Sequence, residues 1–217
     1  MSVNSEAIEK MTSLRSGVKL GLMKKLSAYL FLFLFGFSAP SFADDIRDFQ
    51  IEGMSVGDSM LDFLSEKKIK DNIQDFYKNN EFIPVWIEGS YFKSTMYEKI
   101  EFNYKNGDKN YVIYNVSGLT FPKNINDCYE KQIEILNDLD EMFADVKGIQ
   151  KMNIEKYTHT LDKSGKSTFT RGGLIFDSGG AITVDCNDFS NEVESKDEMY
   201  ISIDTKEFTK FLNSDPY

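Results

Sequence analysis

The sequence predicts an α+β fold: a short helical pair, antiparallel strands, a long central helix, then a four-stranded antiparallel meander, arranged as two helix-on-sheet halves. Three observations predict it. Period-two runs such as Ile182-Thr183-Val184-Asp185-Cys186 and Met199 to Asp204 are separated by Gly, Asn and Ser turns. A stripe of helical period runs from Cys128 to Val146. The chain's two cysteines, Cys128 and Cys186, fall one on that helix and one on a strand.

The chain opens with a segment that sets the compartment. Lys24 and Lys25 form a basic region, Ala28 to Phe37 an apolar run, and Ser41-Phe42-Ala43 a small-x-small cleavage signal before Asp44. This is the pattern of a bacterial secretory signal peptide over 23–43, cut between Ala43 and Asp44. The apolar run of roughly 10 to 12 residues is short of the roughly 20 that a membrane-spanning helix needs, so no stable membrane insertion is expected after the cut. Met23-Lys24-Lys25 has the form of a translation start. Residues 1–22, polar and without pattern, therefore read as a misassigned or dispensable extension.

Removing 43 of 217 residues leaves 174, read as an N-terminal half (44–122) and a C-terminal half (123–217). Residues 1–43 carry five of the 25 Lys/Arg and two of the 35 Asp/Glu, so the remainder holds 20 basic and 33 acidic side chains, a net charge near −13. That surface repels nucleic acid and anionic lipid, and nucleic acid is excluded as a partner. In an oxidising compartment two cysteines predict one disulfide, Cys128 to Cys186.

Along the exported portion, Ser55 and Asp58 form an S-x-x-D cap for a short first helix at Met60 to Leu64, and Ser65-Glu66 caps a second carrying Ile69, Ile73, Phe76 and Tyr77. Phe82 to Glu88 is strand-like, with Pro84 suited to an edge. Tyr97 to Tyr104 and Tyr111 to Val116 flank Lys105-Asn106-Gly107-Asp108, predicting a type I′ hairpin. Pro122 with Asn124 or Asn126 opens the long helix, which Lys147-Gly148 stops; Cys128, Ile135, Leu136, Leu139, Met142, Phe143 and Val146 form its apolar stripe. Strands follow from Met152 to Leu161, Ser167 to Phe176, Ala181 to Cys186 and Met199 to Asp204, with an exposed acidic loop at Ser190 to Glu198 and a final helical turn at Glu207 to Leu212. Cys186 points inward, towards the helix that bears Cys128. The helix–turn–helix then hairpin order, with Gly53-Met54-Ser55 at the helix start, resembles small envelope modules of the SmpA and β-lactamase-inhibitor-protein type. The resemblance is one of element order and assigns no functional residue.

Several motifs imitate active sites. Gly57-Asp58-Ser59-Met60 resembles the nucleophile block of the GDSL lipase family, in which a strand delivers the serine and an Asp-x-x-His block the base. Here it sits in a capped helix, and the sole histidine, His159, has Lys156 three residues before it. Asp177-Ser178-Gly179-Gly180 resembles the serine environment of trypsin-like proteases, yet such residues also make turns, and His159 lies only 19 positions upstream. Gly165-Lys166-Ser167 ends like a P-loop, but Thr160 stands where the first glycine belongs and a strand follows. Asp138, Asp140, Glu141 and Asp145, or Glu192, Glu194, Asp197 and Glu198, lack the alternation and turn glycine of a calcium loop. One histidine and two paired cysteines do not make a zinc site. No catalytic, metal-binding or cofactor-binding residue is therefore assigned.

The first half concentrates aromatics: Trp86, Tyr91, Phe92, Tyr97, Tyr104, Tyr111 and Tyr114. Most are expected in the core, and several exposed on one sheet face would mark a recognition surface. The sequence thus points to an exported periplasmic or secreted protein without catalytic activity, a binding or envelope-associated module for a protein or small molecule. The alternative is a secreted hydrolase whose site is assembled from residues that the sequence does not group, which a deep pocket around His159 with a serine or carboxylate in hydrogen-bond reach would favour.

Overall fold

Seven strands hydrogen-bond into one antiparallel sheet in the computed structural model, which describes residues 46–159, 162–214 and 216. They are β1 (Phe82–Glu88), β2 (Lys99–Lys105), β3 (Asn115–Thr120), β4 (Ile149–Thr158), β5 (Thr168–Phe176), β6 (Ala181–Asp188) and β7 (Glu198–Asp204), in the spatial order β1-β2-β3-β7-β6-β5-β4. Three α-helices accompany them among the described residues: α1 (Glu66–Lys70), α2 (Ile125–Met142) and α3 (Lys206–Leu212). The extension 1–22, the leader 23–43 and its Ala43–Asp44 junction lie outside the described residues, as do Thr160 and Leu161.

The expected division into two helix-on-sheet halves meets a different arrangement of strands. After β3 the chain crosses along α2 to the far edge, lays down β4, and returns strand by strand until β7 reaches β3. Val116 then faces Ile203 and Gly118 faces Ile201, so the two groups of strands share one sheet. Its apolar face is continuous across that junction, through Ile100 and Phe102 on β2, Val116, Ile201 and Ile203, to Ile182 and Val184 on β6 and Leu174 on β5. The alternation of strand side chains puts every intervening residue on the opposite face.

Helix α2 lies on β5, β6 and β7. Asn124 caps it, its side chain accepting from the Asp127 N–H at 3.1 Å. Cys128 in the first turn bonds Cys186 on β6, with Cα atoms 6.0 Å apart. The bridge spans 58 positions and, through lost chain entropy of the unfolded state, contributes about 4 kcal/mol. Leu136, Leu139 and Phe143 are buried as expected, whereas Met142 is 40% exposed. Gln132, polar and 1% exposed, occupies the centre of the stripe: its amide donates to the carbonyls of Thr170 and Val184, and its oxygen accepts from the Thr170 hydroxyl. Gly172 lets the helix come this close, since a Cβ there would lie 2.6 Å from Leu136. The helix ends at Met142, before Val146, where the Phe143 N–H closes onto Leu139.

The N-terminal elements are shorter than their sequence suggests. The first helix is a single 3-10 turn, Met60–Asp62, capped by Ser59; Ser55 instead donates its hydroxyl to Arg47, and only the Asp58 carboxylate reaches back to the Ser55 N–H. Ser65 caps α1 as expected, but α1 stops at Lys70 because the Asn72 side chain takes the Lys68 carbonyl. Ile73 then bridges Val85, with backbone bonds from Gln74 to Pro84 and from Trp86 to Asn72, closing the outer edge of β1. The predicted type I′ hairpin is absent. Only Gly107 of the Asn-Gly pair has positive φ, and the Asp108 carboxylate gathers the N–H groups of Asn110 and Val112. Residues 111–113 are thereby turned onto Asp58 and Met60, and pairing with β2 begins only at Asn115 opposite Asn103. Two successive positive φ angles occur instead at Glu52-Gly53, in the tight turn between Ile51 and Met54.

Candidate functional site

The face of the sheet opposite α2 carries the residues that interleave with the apolar ones. Along one cross-strand row stand Trp86, Glu101, Ser117, Ser202, Thr183 and Gly173, one from each of β1, β2, β3, β7, β6 and β5. Beside it runs Pro84, Asn103, Asn115, Asp204 and Ala181; on its other side run Lys99, Leu119, Tyr200, Asp185 and Arg171. An antiparallel sheet ordinarily turns such a face to solvent with independent, exposed polar side chains. Here Glu101, Asn103, Asn115, Ser117, Ser202, Thr183, Asp185 and Asp204 are all buried.

Burial is matched by hydrogen bonding, as it must be for polar groups removed from water. The Trp86 indole N–H donates to Glu101 at 2.7 Å; the Asn103 amide donates to Glu101 at 2.8 Å and to the Asn115 oxygen at 2.9 Å. The Asn115 amide donates to Ser117 and, at 2.5 Å, to Asp204, while the Ser117 and Ser202 hydroxyls meet at 2.8 Å. Tyr77 enters from above, its hydroxyl donating to Asn103 at 3.0 Å. That tyrosine belongs to an aromatic cluster with Phe82, Phe208 and Phe211, so α3 braces one end of the network. At the other end Arg171 donates from Nε and Nη2 to the Asp185 carboxylate, a forked pair between β5 and β6.

The electrostatics of this face are those of crowded, desolvated acids. Burial pushes the Glu101 carboxyl up, against the stabilising bonds from Trp86 and Asn103. Burial raises Asp204 to about 7, opposed by the Asn115 amide and by Arg171, and reinforced by Asp185 and Glu101. Glu198, on the rim, is raised by burial and by the charge of Glu101. Partly exposed rings flank the acids: Trp86 under the Lys99 ammonium, 4.5 Å from the ring centroid, Tyr200 beside Asp185, and Tyr157 stacked on Phe169 at 5.0 Å. Chemically the face can recognise shape and hydrogen-bonding pattern, and it holds protons near neutrality.

Of the aromatics singled out by sequence, Trp86 reaches this face. Tyr97, Tyr104 and Tyr111 are buried elsewhere, and Tyr91 is 49% exposed on the 3-10 turn Gly89–Phe92. Tyr200, Tyr157 and Phe169 were not singled out; they sit at alternate positions in strands whose apolar residues drew attention first. The network itself also had a signal, the polar pairs Glu101-x-Asn103, Asn115-x-Ser117 and Ser202-x-Asp204 at period two.

The motif residues are not brought together. Ser59 donates to the Asn110 carbonyl at 2.6 Å and caps its 3-10 turn. His159 pairs by its backbone with Ser167 at one end of β5, whereas Ser178 follows the other end; the nine-residue strand separates them by roughly 27 Å. The His159 ring packs on Phe189 and Phe169, and burial lowers its pKa against the opposing charge of Asp162. Asp162 organises the turn that imitates a P-loop. Its carboxylate accepts from the hydroxyls of Ser167, Ser164 and Ser190 and from the N–H groups of Ser167 and Ser164, which holds it well below the usual range. Gly165 takes a φ of +72° there, and a strand follows rather than a helix. Asp140 and Glu192 of the two acidic groups pair with Lys151 and Lys166. Among the described residues no helix is long and apolar enough to cross a membrane.

Fold and site together define a class: a disulfide-tied, helix-backed antiparallel sheet whose second face is a bonded polar bed. The chain matches no protein-family model, no curated protein and no solved structure.

Proposed function

We propose that this is an exported protein of the periplasm or extracellular space that acts without catalysis, as a binding or envelope-associated module. The rim of the sheet's polar face, where the accessible rings of Trp86, Tyr200, Tyr157 and Phe169 border the buried network, is the surface that meets the partner, a protein or a small molecule. The observation that carries this reading is the bonded row from Trp86 through Glu101, Asn103 and Asn115 to Asp204, with partly exposed rings at its sides. A network of this kind fixes side chains in place before anything binds, which lowers the entropy lost on recognition. The Cys128–Cys186 bond and the cleavage pattern before Asp44 support an oxidising destination.

A photo-crosslinking residue placed at Tyr200, and separately at Ile133 on the outer side of α2, tests the surface in cells that make the protein. Discrete adducts from position 200 and none from 133 are expected. Equal adducts from both, or none from 200, sink the assignment. N-terminal sequencing of the exported product should read from Asp44.

One observation favours the second reading, a secreted hydrolase: two acids with raised pKa, Glu101 and Asp204, share a face, and a carboxyl that keeps its proton near neutrality is what general-acid catalysis requires. Turnover of any glycoside or ester substrate that disappears in Asp204→Asn or Glu101→Gln would establish it in place of the binding role.

A further inference from the structure

We propose that Asp204 is a proton-operated latch on the seam where β3 meets β7, closing that seam when protonated and loosening it when ionised. The seam is the one strand pairing that joins β1-β2-β3 to β7-β6-β5-β4, and its ladder begins with Asn115 opposite Asp204. On the polar face two side-chain links cross it, Asn115 to Asp204 at 2.5 Å and Ser117 to Ser202 at 2.8 Å. Asp204 is 4% exposed, and no lysine or arginine among the described residues forms an ion pair with it.

The charged groups that act on Asp204 come from three other strands. Glu101 on β2 and Asp185 on β6 are acids, and Arg171 on β5 is engaged by Asp185 through a forked pair. On its own strand Glu198 is a further acid, and in α3 the Glu207 carboxylate already pairs with Lys105. An ionised Asp204 would therefore have one amide, Asn115, to hold its charge among like charges. Burial lifts its pKa to about 7, whereas in an opened seam it returns towards the ordinary range near 4. The closed form thus binds the proton more tightly, so opening increases as pH rises from about 4 to about 7 and levels off above.

Hydrogen exchange of the full chain between pH 5 and 8, corrected for the intrinsic rise of exchange with pH, tests this. Amides of β3 and β7 should lose protection by tenfold or more between pH 5 and 7.5, with β4 and β5 unchanged as an internal control. Asp204→Asn should flatten the seam's profile. The latch is overturned if the wild-type seam shows no excess pH dependence, if β4 and β5 change equally, or if Asp204→Asn keeps the wild-type profile. The wild-type comparison decides by itself should that variant not fold.

Discussion

The two faces of this sheet are built from alternate residues of the same strands and are held by different physics. On the helix side, burial of Ile100, Phe102, Val116, Val184 and Ile203 under neighbouring elements supplies non-directional attraction at about 25 cal/mol per Å² of apolar surface removed from water, and one covalent bond fixes the helix. On the other side, amides, hydroxyls and carboxylates satisfy one another, and each bond adds only about 1 kcal/mol net. The apolar face therefore sets stability. The polar face sets which side chains stand where, and its acids make it sensitive to pH.

The largest effect should come from the covalent tie. Replacing Cys128 and Cys186 by serine should lower unfolding free energy by about 4 kcal/mol, read as the urea midpoint under oxidising conditions, and the wild type under reductant should fall with it. A loss under 1 kcal/mol would mean that α2 is held by packing alone, and the contrast between the faces would weaken.

Asp204→Asn comes next, and its sign differs. The native carboxyl titrates near 7 and the unfolded one near 4, so the wild type loses stability as pH rises across that window. At pH 8 the amide variant should be the more stable, by roughly 1–3 kcal/mol, and near pH 4 the two should converge. Equal stability at pH 8 would show that the charge is better solvated than its burial indicates. Gln132→Leu tests the polar contact that α2 makes with Thr170 inside the apolar face. It leaves the Val184 carbonyl and the Thr170 hydroxyl without their partner and should destabilise by about 1–3 kcal/mol despite adding apolar surface.

These pairs also show what a linear reading can reach. Patterns within one element were legible: the stripe that places Cys128 inward, the alternation that places Cys186 inward, the Ser65 cap, the strands of the second half. The β3–β7 pairing was not, because period-two runs state which residues share a face and not which strands are neighbours. Without it the polar pairs on β2, β3 and β7 read as three separate solvated edges rather than one network. The Asn106-Gly107 turn misled for a local reason: the Asp108 carboxylate competes for the N–H groups a hairpin partner would have used.

The smallest expected effect separates a network from a collection of bonds. Ser202→Ala removes one partner of the hydroxyl pair across the seam and leaves Ser117 bonded to Asn115, so a loss of about 1 kcal/mol is expected. Ser117→Ala should cost about the same, or slightly more, since the Asn115 amide then loses an acceptor. The double variant removes both hydroxyls, and it should cost less than the two single losses together by about 0.5–1 kcal/mol. Ser178→Ala, in an exposed turn outside the network, should stay within about 0.5 kcal/mol of wild type. Strict additivity at 117 and 202, measured by urea unfolding of the four proteins, would show that the polar face is a set of independent bonds, and its claim to be a preorganised surface would go with it.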